Sequence, residues 1–561
     1  MSPTGILKIS EQVRSSFDPI MDAIGPMRQA LAAVKEVAAI RPGYYLPPVG
    51  NPSPSVVVSV IPGTSPGEVN AEKLTKKFGV PVSVIDATPE EQIAAIQKHE
   101  GAVRFALEVP TTSTFERRLR DEQVPIEFAL PKTGSYKPLD PPDLPLVEEP
   151  MQVTICVSPE SGWSQLETFL AATEERLTVA MYQFTAPHIF AAVRNAVTPP
   201  GRSMELMLHP RPESPGHSGV KAQDLEEKDV IDKLSSLMGN RFKMSWATLV
   251  SQSHPDGLWA LAYHIKVAVR DGKTLWLSSG NWQSSNQPAV HPFGSHPDQL
   301  PSGFQRKYNR DYHAIITNDK LAASYETYIK RDFDLTVNAG TIKPFVMPDL
   351  FISEVEPEER LMFAAPPQLF PPLRLERQVR VQPLLTPDNY AENALALIQS
   401  AQTSVWFQNQ YINFRDTGED FPEFQRLIKG LKEKIDAGCD VRIICRDLMK
   451  QEYIDILLAL GFPRQVMRFQ PACHNKTIII DRKIVLFGSH NWSNEGVKTN
   501  RDASLIFYDE EIAKYLAQIY DYDWDRLAKA KPTSTQPRVA RGDEPTPPGY
   551  KRVPFSAVYE D

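Results

Sequence analysis

One eight-residue pattern occurs twice in this chain, and its duplication constrains the fold more than any other feature of the sequence. The first copy, H-x-K-x-x-x-x-D, runs from His264 to Asp271, and the second begins at His474. An Asn-Trp pair follows each copy, starting at Asn281 and Asn491. All five matched positions are separated from their counterparts by 210 residues. A register this strict indicates an internal duplication, and therefore a fold with two similar halves.

A third shared element follows each copy, reading Asn-Arg-Asp at 309–311 and at 500–502. Its offset is 191, because the first copy carries 19 extra residues before this element. The insert, residues 287–307, is rich in proline and glycine. It is interpreted either as a plain long loop or as a lid that shapes a pocket mouth.

The residue types of the repeated pattern suit attack on a phosphorus centre. His264 and Lys266 are two residues apart, as are His474 and Lys476, so in a strand each pair shares one face. One copy alone would be read as an exposed strand edge. Two copies would supply a nucleophile, an acid and two ammonium groups, so no metal is required. No compact spacing of metal ligands occurs elsewhere, and no cofactor is expected.

Composition bounds the remaining possibilities. The 561 residues carry a net charge of −8, so the overall balance does not point to nucleic-acid binding. The four cysteines lack CxxC spacing and are predicted to be free, mostly buried thiols. Residues 1–20 show no secretory signal and no run is long enough to span a membrane, which predicts a cytoplasmic protein. A secreted form that has lost its signal is the alternative.

Hydrophobic patterning divides the chain into five parts. Residues 1–150 are predicted to hold helices up to about residue 40 and then a small separate α/β domain, of unknown role, with strands at 55–61, 80–85, 103–109 and 124–130. Residues 151–345 and 378–530 are the two repeats, each with alternating strands and helices. A Pro-rich linker without regular structure (346–377) joins them, and residues 531–561 form an extended or disordered tail. The fold class is therefore α/β.

The doubled motif, with its Gly-Ser-x-Asn element, resembles that of the phospholipase D superfamily over residues 151–528. The resemblance implies two repeats packed as a pseudo-twofold sandwich, with Lys266, Lys476, Asn281 and Asn491 binding one phosphate. Ser279 and Ser489 are matched supporting residues. The first copy departs from the pattern, because it reads Ser278-Ser279-Gly280 where the second reads Gly488-Ser489-His490. A slightly altered turn geometry is expected there.

Each histidine needs a carboxylate to fix its tautomer. The motif residues Asp271 and Asp481 lie seven positions from their own histidines, roughly 20 Å at full extension, so they are predicted to support turns. The resemblance instead assigns this role to the Asn-Arg-Asp aspartates, and the expected pairs are His264 with Asp311 and His474 with Asp502. It also implies that His264 is the nucleophile and His474 the acid.

The resulting hypothesis is a metal-independent phosphodiesterase that works through a phosphohistidine. A phospholipid substrate, with peripheral membrane contact, is favoured over nucleic acid; no obligate protein partner is expected. The Arg-Ser pair of similar phospholipid synthases is absent after both asparagines, and this keeps a nuclease open. A catalytically silent scaffold is the third alternative. Trp282 and Trp492 are predicted to pack in the core. Ordinary surface or loop positions are predicted for His254, His291, His296, His313 and His490.

Overall fold

The computed structural model of the chain describes Leu7 and residues 9–47, 50–63, 69–89, 91–93, 95, 138–209, 224–247, 262–300, 303–337, 349–353, 368–414, 422–530, 536–540 and 544–553. The predicted strands at 103–109 and 124–130, and His254, lie outside these residues.

A 14-stranded sheet forms the centre of the molecule. The first repeat contributes β4 (Val147–Ser158), β5 (Arg176–Met181), β6 (Ser203–Leu208), β7 (Phe242–Trp246), β8 (Lys266–Arg270), β9 (Thr274–Ser278) and β10 (Asp311–Thr317). The second contributes β12 (Leu373–Leu385), β13 (Ser404–Gln408), β15 (Asp440–Arg446), β16 (Met467–Gln470), β17 (Lys476–Ile480), β18 (Ile484–Gly488) and β20 (Ala503–Phe507).

Equivalent strands of the two repeats follow one another in the same order when the sheet is followed inward from either edge. From one edge it is β16-β15-β13-β17-β18-β20-β12, and it continues with β4-β10-β9-β8-β5-β6-β7. Each strand of one repeat therefore has an equivalent at the mirrored place in the other. The two halves meet where β12 runs antiparallel to β4, from Leu373 opposite Ile155 to Val381 opposite Val147. The predicted α/β class is confirmed, and the mirrored order gives the two related repeats.

Helices cover the sheet, as nearly continuous apolar strands such as β17 require. Those of the first repeat are α4 (Gly162–Ala171), α5 (Pro187–Val197), α6 (Glu227–Met238), α7 (Phe304–Lys307) and α8 (Asp319–Val337), with a 3₁₀ turn at Gly239–Arg241. Those of the second are α9 (Tyr390–Ser400), α10 (Pro422–Asp436), α11 (Gln451–Ala459), α12 (Asn494–Lys498) and α13 (Glu510–Tyr522), with a 3₁₀ turn at Arg464–Val466 and a π-helical turn at Asp523–Leu527. One continuous apolar cluster includes side chains of α8, α13 and strands of both repeats, so the repeats share a core.

The N-terminal region has its own three-stranded sheet, formed by β1 (Val37–Tyr45), β2 (Ser53–Val60) and β3 (Val82–Asp86). Its helices are α1 (Glu11–Ser16), α2 (Asp18–Ala30) and α3 (Ala71–Phe78). Helices were predicted up to about residue 40, but β1 already begins at Val37, because antiparallel pairing with β2 prevails over the local pattern. This sheet shares an apolar cluster with the second repeat, beside a buried 3.1 Å ion pair between Arg41 and Asp455.

A small sheet joins the linker to the tail. β11 (Leu350–Ser353) pairs with β21 (Arg538–Val539) and β22 (Tyr550–Val553). The linker was predicted to lack regular structure. That prediction is wrong for these four residues, because tail segments distant in sequence supply the pairing partners, and for residues 373–377, which begin β12. The Gln92 side chain also bonds the tail, at the Pro537 carbonyl and the Val539 amide. The short strands β14 (Ile412–Asn413) and β19 (Trp492–Ser493) pair in the second repeat.

No helix among the described residues is both long and apolar enough to cross a membrane.

Candidate active site

The two H-x-K histidines precede two equivalent strands. His264 comes just before β8 and His474 just before β17, and both side chains are about 1% exposed. The lysines begin those strands and are equally buried. Apolar residues of the strands anchor each pair from below, so the polar side chains stand at the strand end.

Both histidines bond a carboxylate of the other repeat. His264 Nδ1 lies 2.7 Å from Asp502 Oδ1, and His474 Nδ1 lies 2.7 Å from Asp311 Oδ1. The predicted pairing within each repeat is therefore wrong. Asp311 begins β10, which is separated from β8 by β9, so two strand spacings of about 4.8 Å keep it from its own histidine. The pseudo-twofold arrangement brings the opposite histidine to it instead.

Each carboxylate is held by a serine of its own repeat. Ser279 Oγ donates to Asp311 at 2.8 Å, and Ser489 Oγ donates to Asp502 at 2.6 Å. Burial alone would raise the pKa of each aspartate. The charge of the facing histidine, His474 or His264, and its hydrogen bond outweigh burial, so both pKa values lie below the ordinary range. Both carboxylates are therefore ionised at neutral pH, where they can stabilise a protonated imidazole.

Backbone bonds fix the contact between the repeats at this point. The amide of Arg310 donates to the carbonyl of Ala472, and the amide of Arg501 donates to the carbonyl of Ala262, both at 2.9 Å. Each bond joins the residue before a site aspartate to the residue two positions before the opposite histidine. The two His–Asp pairs are therefore set by main-chain geometry as well as by their side chains.

The lysines and asparagines surround the histidines. Lys266 Nζ donates to the His264 carbonyl at 2.8 Å, whereas Lys476 Nζ lies 3.4 Å from both ring nitrogens of His474. Lys476 also reaches the Ser279 carbonyl of the first repeat, at 3.5 Å. Asn281 and Asn491 follow the serines that hold the carboxylates, and both are at most 2% exposed.

The two motif aspartates lie away from the histidines, at the opposite strand ends. Asp271 accepts bonds from the amides of residues 174, 175 and 176, and Asp481 accepts from those of residues 402, 403 and 404. Both residues have positive φ angles, 55° and 51°. They close the turn after the H-x-K strand onto the start of the neighbouring strand.

The arginines of the Asn-Arg-Asp elements are fully buried between carboxylates. Arg310 bonds Glu160 and Asp523, with contacts of 2.6 Å to each. Arg501 bonds Asp332 and Asp388 in the same way, at 2.5 and 2.6 Å. Asp332 and Asp523 are 191 residues apart, the offset of the Asn-Arg-Asp element, so that offset was a usable sequence signal.

Asn286 is a further site residue, and no motif of the sequence predicts it. Its Nδ2 donates to Asp311 Oδ2 at 2.9 Å and lies 3.3 Å from His474 Nδ1. The equivalent position in the second repeat, 210 residues later, is Gly496. Asn286 therefore leaves no repeated signature. Oδ2 of Asp502 has no hydrogen-bond partner in the part of the chain that the structure describes.

His313 and His490 were predicted to be ordinary surface or loop residues, but both are fully buried: His313 lies in β10, and His490 lies in the turn after β18. His313 bonds Ser158 and Ser278, both at 2.8 Å. His490 bonds Thr386 and Ser504, both at 2.6 Å. Burial lowers the pKa of His313 to about 4 and that of His490 to about 3. Their hydroxyl partners satisfy neutral rings.

These two histidines explain the departure in the first motif. In each repeat, one imidazole lies between a Ser or Thr at the end of the first strand of that repeat and a serine of a later strand. In the first repeat β10 supplies the ring and the turn has Gly280, whereas in the second repeat the turn supplies the ring and β20 has Ser504. A Cβ at Gly280 would lie 2.6 Å from the Asp311 carboxylate, so glycine is required there. When the two repeats are compared, the imidazole of one repeat therefore stands where the other repeat has a small residue, at both positions.

Both tryptophans pack in apolar clusters, and the described residues contain no group of three or more His, Cys, Asp or Glu placed to hold a metal ion. Four free cysteines are present, of which Cys473 lies directly before His474. Burial raises the pKa of the Cys473 thiol well above its ordinary value, so it is not a nucleophile at neutral pH.

Fold and site together define a two-repeat protein in which each H-x-K histidine bonds a carboxylate of the opposite repeat, across a pseudo-twofold axis. The family described as "Cardiolipin synthase, PLD-like domain" matches residues 394–524. Residues 394–524, within the second repeat, are thus similar to the phospholipase D-like domain of that family. Human mitochondrial cardiolipin hydrolase is 27% identical over 114 residues, which are 20% of this chain and 43% of that protein. Cardiolipin synthase A of Pseudomonas entomophila (strain L48) is 23% identical over 175 residues, 26% of this chain and 35% of that protein.

The chain thus spans less than half the length of these curated relatives. Among solved structures, phosphatidylserine synthase of Haemophilus influenzae aligns with a TM-score of 0.43 and 15% identity, over 67% of this chain and 87% of that one. Nuc of Salmonella typhimurium, a phospholipase D family member, aligns with a TM-score of 0.21 and 20% identity, over 29% of this chain and 98% of that one.

Proposed function

We propose that the protein is a phosphodiesterase that cleaves its substrate through a covalent phosphohistidine and acts on phospholipids. The observation that carries this proposal is the pair of buried His–carboxylate contacts that cross between the repeats. Each contact is made by Nδ1, so we assign the chemistry to Nε2 of each ring, with the lysine of the same motif close by. Two such sets match the needs of in-line displacement at one phosphorus atom.

The reaction proceeds in two displacements. In the first, the lone pair of His264 Nε2 attacks phosphorus, the P–O bond to the leaving alcohol breaks, and protonated His474 gives its Nε2 proton to the departing oxygen. In the second, His474 takes a proton from water as the water oxygen attacks phosphorus. The P–N bond then breaks and its electron pair returns to His264. Lys266 and Lys476 balance the charge of the non-bridging oxygens.

The assignment of the two histidines rests on the difference between their carboxylates. Asp311 accepts bonds from Ser279, Asn286 and His474, whereas Asp502 accepts from Ser489 and His264. Fewer donors leave more negative charge on Asp502, which favours a positively charged phosphohistidine at His264. Asp311 is the weaker partner, so the imidazolium of His474 releases its proton more readily.

Phospholipid is preferred because the family model and the curated relatives carry names of phospholipid enzymes. A nuclease is the second candidate, supported by the tryptophan in place of the Arg-Ser pair in both copies. The lipid arm of the test uses phosphatidylglycerol vesicles, and the nucleic-acid arm uses single-stranded DNA.

The test of the chemistry uses bis(p-nitrophenyl) phosphate with EDTA present. We expect His264→Ala and His474→Ala to lower turnover by at least a hundredfold. We expect His291→Ala, at a half-buried loop histidine, to leave it unchanged. A phosphoryl adduct that is stable to base and labile to acid is expected on rapid quenching of the wild type. Turnover that survives both site substitutions would refute the mechanism, as would loss of activity on chelation.

A further inference from the structure

An aromatic ring stands against the histidine and the lysine of the first repeat. Tyr182 directly follows β5, and the centroid of its ring lies 4.9 Å from that of the His264 ring, in an edge-to-face arrangement. Lys266 Nζ lies 5.0 Å from the centroid of the same Tyr182 ring. Tyr182 is only 3% exposed, so these contacts are shielded from bulk water. No step of the proposed reaction yet uses this ring.

Strand pairing brings the ring to this place. β5 runs antiparallel to β8, with Met181 opposite Lys266. Tyr182 is the next residue after Met181, so it stands at the strand end where the histidine and the lysine of the motif are presented. Its position is therefore fixed by the sheet and not by a surface loop.

His209 holds the ring from a second strand. It directly follows β6 and stacks on Tyr182, with a centroid distance of 4.8 Å and an interplanar angle of 22°. Its Nδ1 accepts a hydrogen bond of 3.2 Å from the amide of Tyr263, the residue directly before His264. Because this bond fixes the orientation of the His209 imidazole, the stacked Tyr182 ring is held in turn.

The second repeat has a glutamine at the equivalent position. β5 pairs with β8 in the same register as β13 pairs with β17, and β8 and β17 are 210 residues apart. This register makes Gln410 the counterpart of Tyr182. The two halves of the site therefore differ in one large side chain next to the motif.

The two lysines lie differently, in agreement with this difference. Lys266 lies over the Tyr182 ring and donates to the His264 carbonyl at 2.8 Å. Lys476 instead lies 3.4 Å from both ring nitrogens of His474, where its charge favours release of the imidazolium proton. An aromatic face attracts an ammonium group, most strongly where both are removed from water. The ring is therefore a physical cause of the position of Lys266.

We propose that Tyr182 is a positioning residue for the phosphodiesterase reaction. Its ring holds the Lys266 ammonium where it meets the non-bridging oxygens of a phosphate that is attacked by His264, and His209 keeps the ring in place. This inference rests on the proposed function, because the phosphate is that of the proposed reaction. Tyr182 acts through the lysine, so its contribution should disappear when the lysine is absent.

The experiment is a double-mutant cycle, read by turnover of bis(p-nitrophenyl) phosphate. Tyr182→Leu should lower kcat/KM about tenfold, whereas Tyr182→Phe, which keeps the ring, should stay within about twofold of the wild type. With Lys266→Met already present, Tyr182→Leu should cost less than about twofold.

The matched control is Tyr453→Leu. Tyr453 lies in α11, is also 3% exposed, and has Lys450 Nζ 5.5 Å from its ring centroid. The control therefore removes an equally buried ring from a lysine that the reaction does not use, and it should leave kcat/KM unchanged.

Three outcomes would overturn the positioning role. The first is turnover by Tyr182→Leu at the rate of the wild type. The second is a Tyr182→Phe variant as slow as Tyr182→Leu, which would transfer the effect to the hydroxyl group. The third is a loss from Tyr182→Leu that is equally large with and without Lys266, because damage to the fold would lower the rate in both backgrounds alike.

Binding of inorganic phosphate separates this inference from the proposed function, because it needs no turnover. In calorimetric titrations Tyr182→Leu should weaken binding about threefold or more, and Tyr182→Phe should retain it. Ring-dependent binding in a wild type that cleaves no phosphodiester would remove the phosphodiesterase and leave the placement of Lys266 standing. Histidine-dependent turnover that is indifferent to the ring would remove the role of Tyr182 alone.

Discussion

At the scale of single residues, the two site carboxylates have unequal surroundings. Asp311 has three side-chain donors and Asp502 has two, and the difference is Asn286. The H-x-K repeat is symmetric in sequence, so this amide is a physical source of different proton affinities at His264 and His474. Two predictions follow from the pairs themselves.

Replacing Asn286 by glycine, the residue at the equivalent position 496, should strengthen the contact between the Asp311 carboxylate and the protonated ring of His474. Without the amide, Asp311 keeps more charge and stabilises the imidazolium better. The basic limb of the kcat/KM profile should therefore move to higher pH, by about half a unit to one unit. The measurement is hydrolysis of phosphatidylglycerol vesicles, whose leaving alcohol needs a proton, between pH 5 and 9, with Ser295→Ala in the neighbouring insert as control. A uniform fall in rate with an unmoved limb would contradict this role.

The crossed pairing predicts opposite defects for two matched substitutions. Asp502→Asn removes the partner of His264, so formation of the phosphoryl adduct should slow by at least a hundredfold. Asp311→Asn removes the partner of His474, so with p-nitrophenol as leaving group the adduct should form in a burst and then accumulate. Rapid-quench measurement distinguishes the two. Accumulation in Asp502→Asn and slow formation in Asp311→Asn would reverse the assignment.

At the scale of structural elements, the turns after β9 and β18 are tied down by buried neutral imidazoles. His313 connects β10 to the end of β4, and His490 connects the turn after β18 to Thr386 at the end of β12. Asp311 is the charged group that acts on His313, and Asp502, His264 and Lys266 act on His490. Folding keeps both rings uncharged at a pH where the unfolded chain would protonate them.

Acid should therefore destabilise the fold at a higher pH than protonation of its carboxylates alone would. The unfolded chain takes up protons at these histidines near pH 6.5, but the native state does so only near pH 4 and pH 3. The free energy of unfolding should fall as the pH is lowered through this window, by about 3 kcal/mol for His313. Denaturant unfolding of the wild type and His313→Gln at pH 7 and pH 4.5 measures it. An equal fall in both proteins would contradict the prediction.

At the scale of the whole molecule, the N-terminal sheet is joined to the second repeat by a buried charge pair. Arg41 and Asp455 are at most 4% exposed, and burial raises the pKa of Asp455 to about 6 even with the arginine present. Gly43 lies against the same carboxylate, where an added Cβ would be 2.4 Å from Asp455 Oδ2. The interface thus depends on a close approach of β1 to α11.

Arg41→Met should destabilise the protein by about 3–5 kcal/mol at pH 8, because Asp455 then remains buried without a counter-charge. The loss should be smaller at pH 5, where the carboxyl group is protonated. Chemical denaturation at both pH values measures it. The double variant Arg41→Met/Asp455→Leu is the control and should recover most of the stability, and a loss that is equal at both pH values would point to packing instead.

The repeated parts of this molecule could be predicted from the sequence. The histidines, lysines and α/β repeats follow from matched offsets, and the aspartates beside the histidines follow from a resemblance. The pairing did not follow, because strand order within the sheet decides which aspartate meets which ring. Asn286 and Tyr182 were missed because neither has an identical counterpart in the other repeat, and β11 because its partners lie in the tail.

The exchange of carboxylates between the repeats has a consequence for ancestry. A single-repeat precursor would hold each histidine without its orienting aspartate, so it would have been competent only as a homodimer. Fusion of two copies of the gene would then make the association permanent and allow the two repeats to diverge in sequence. The insert, Asn286 and the relocated imidazole are marks of that later divergence, accumulated while the shared centre stayed intact.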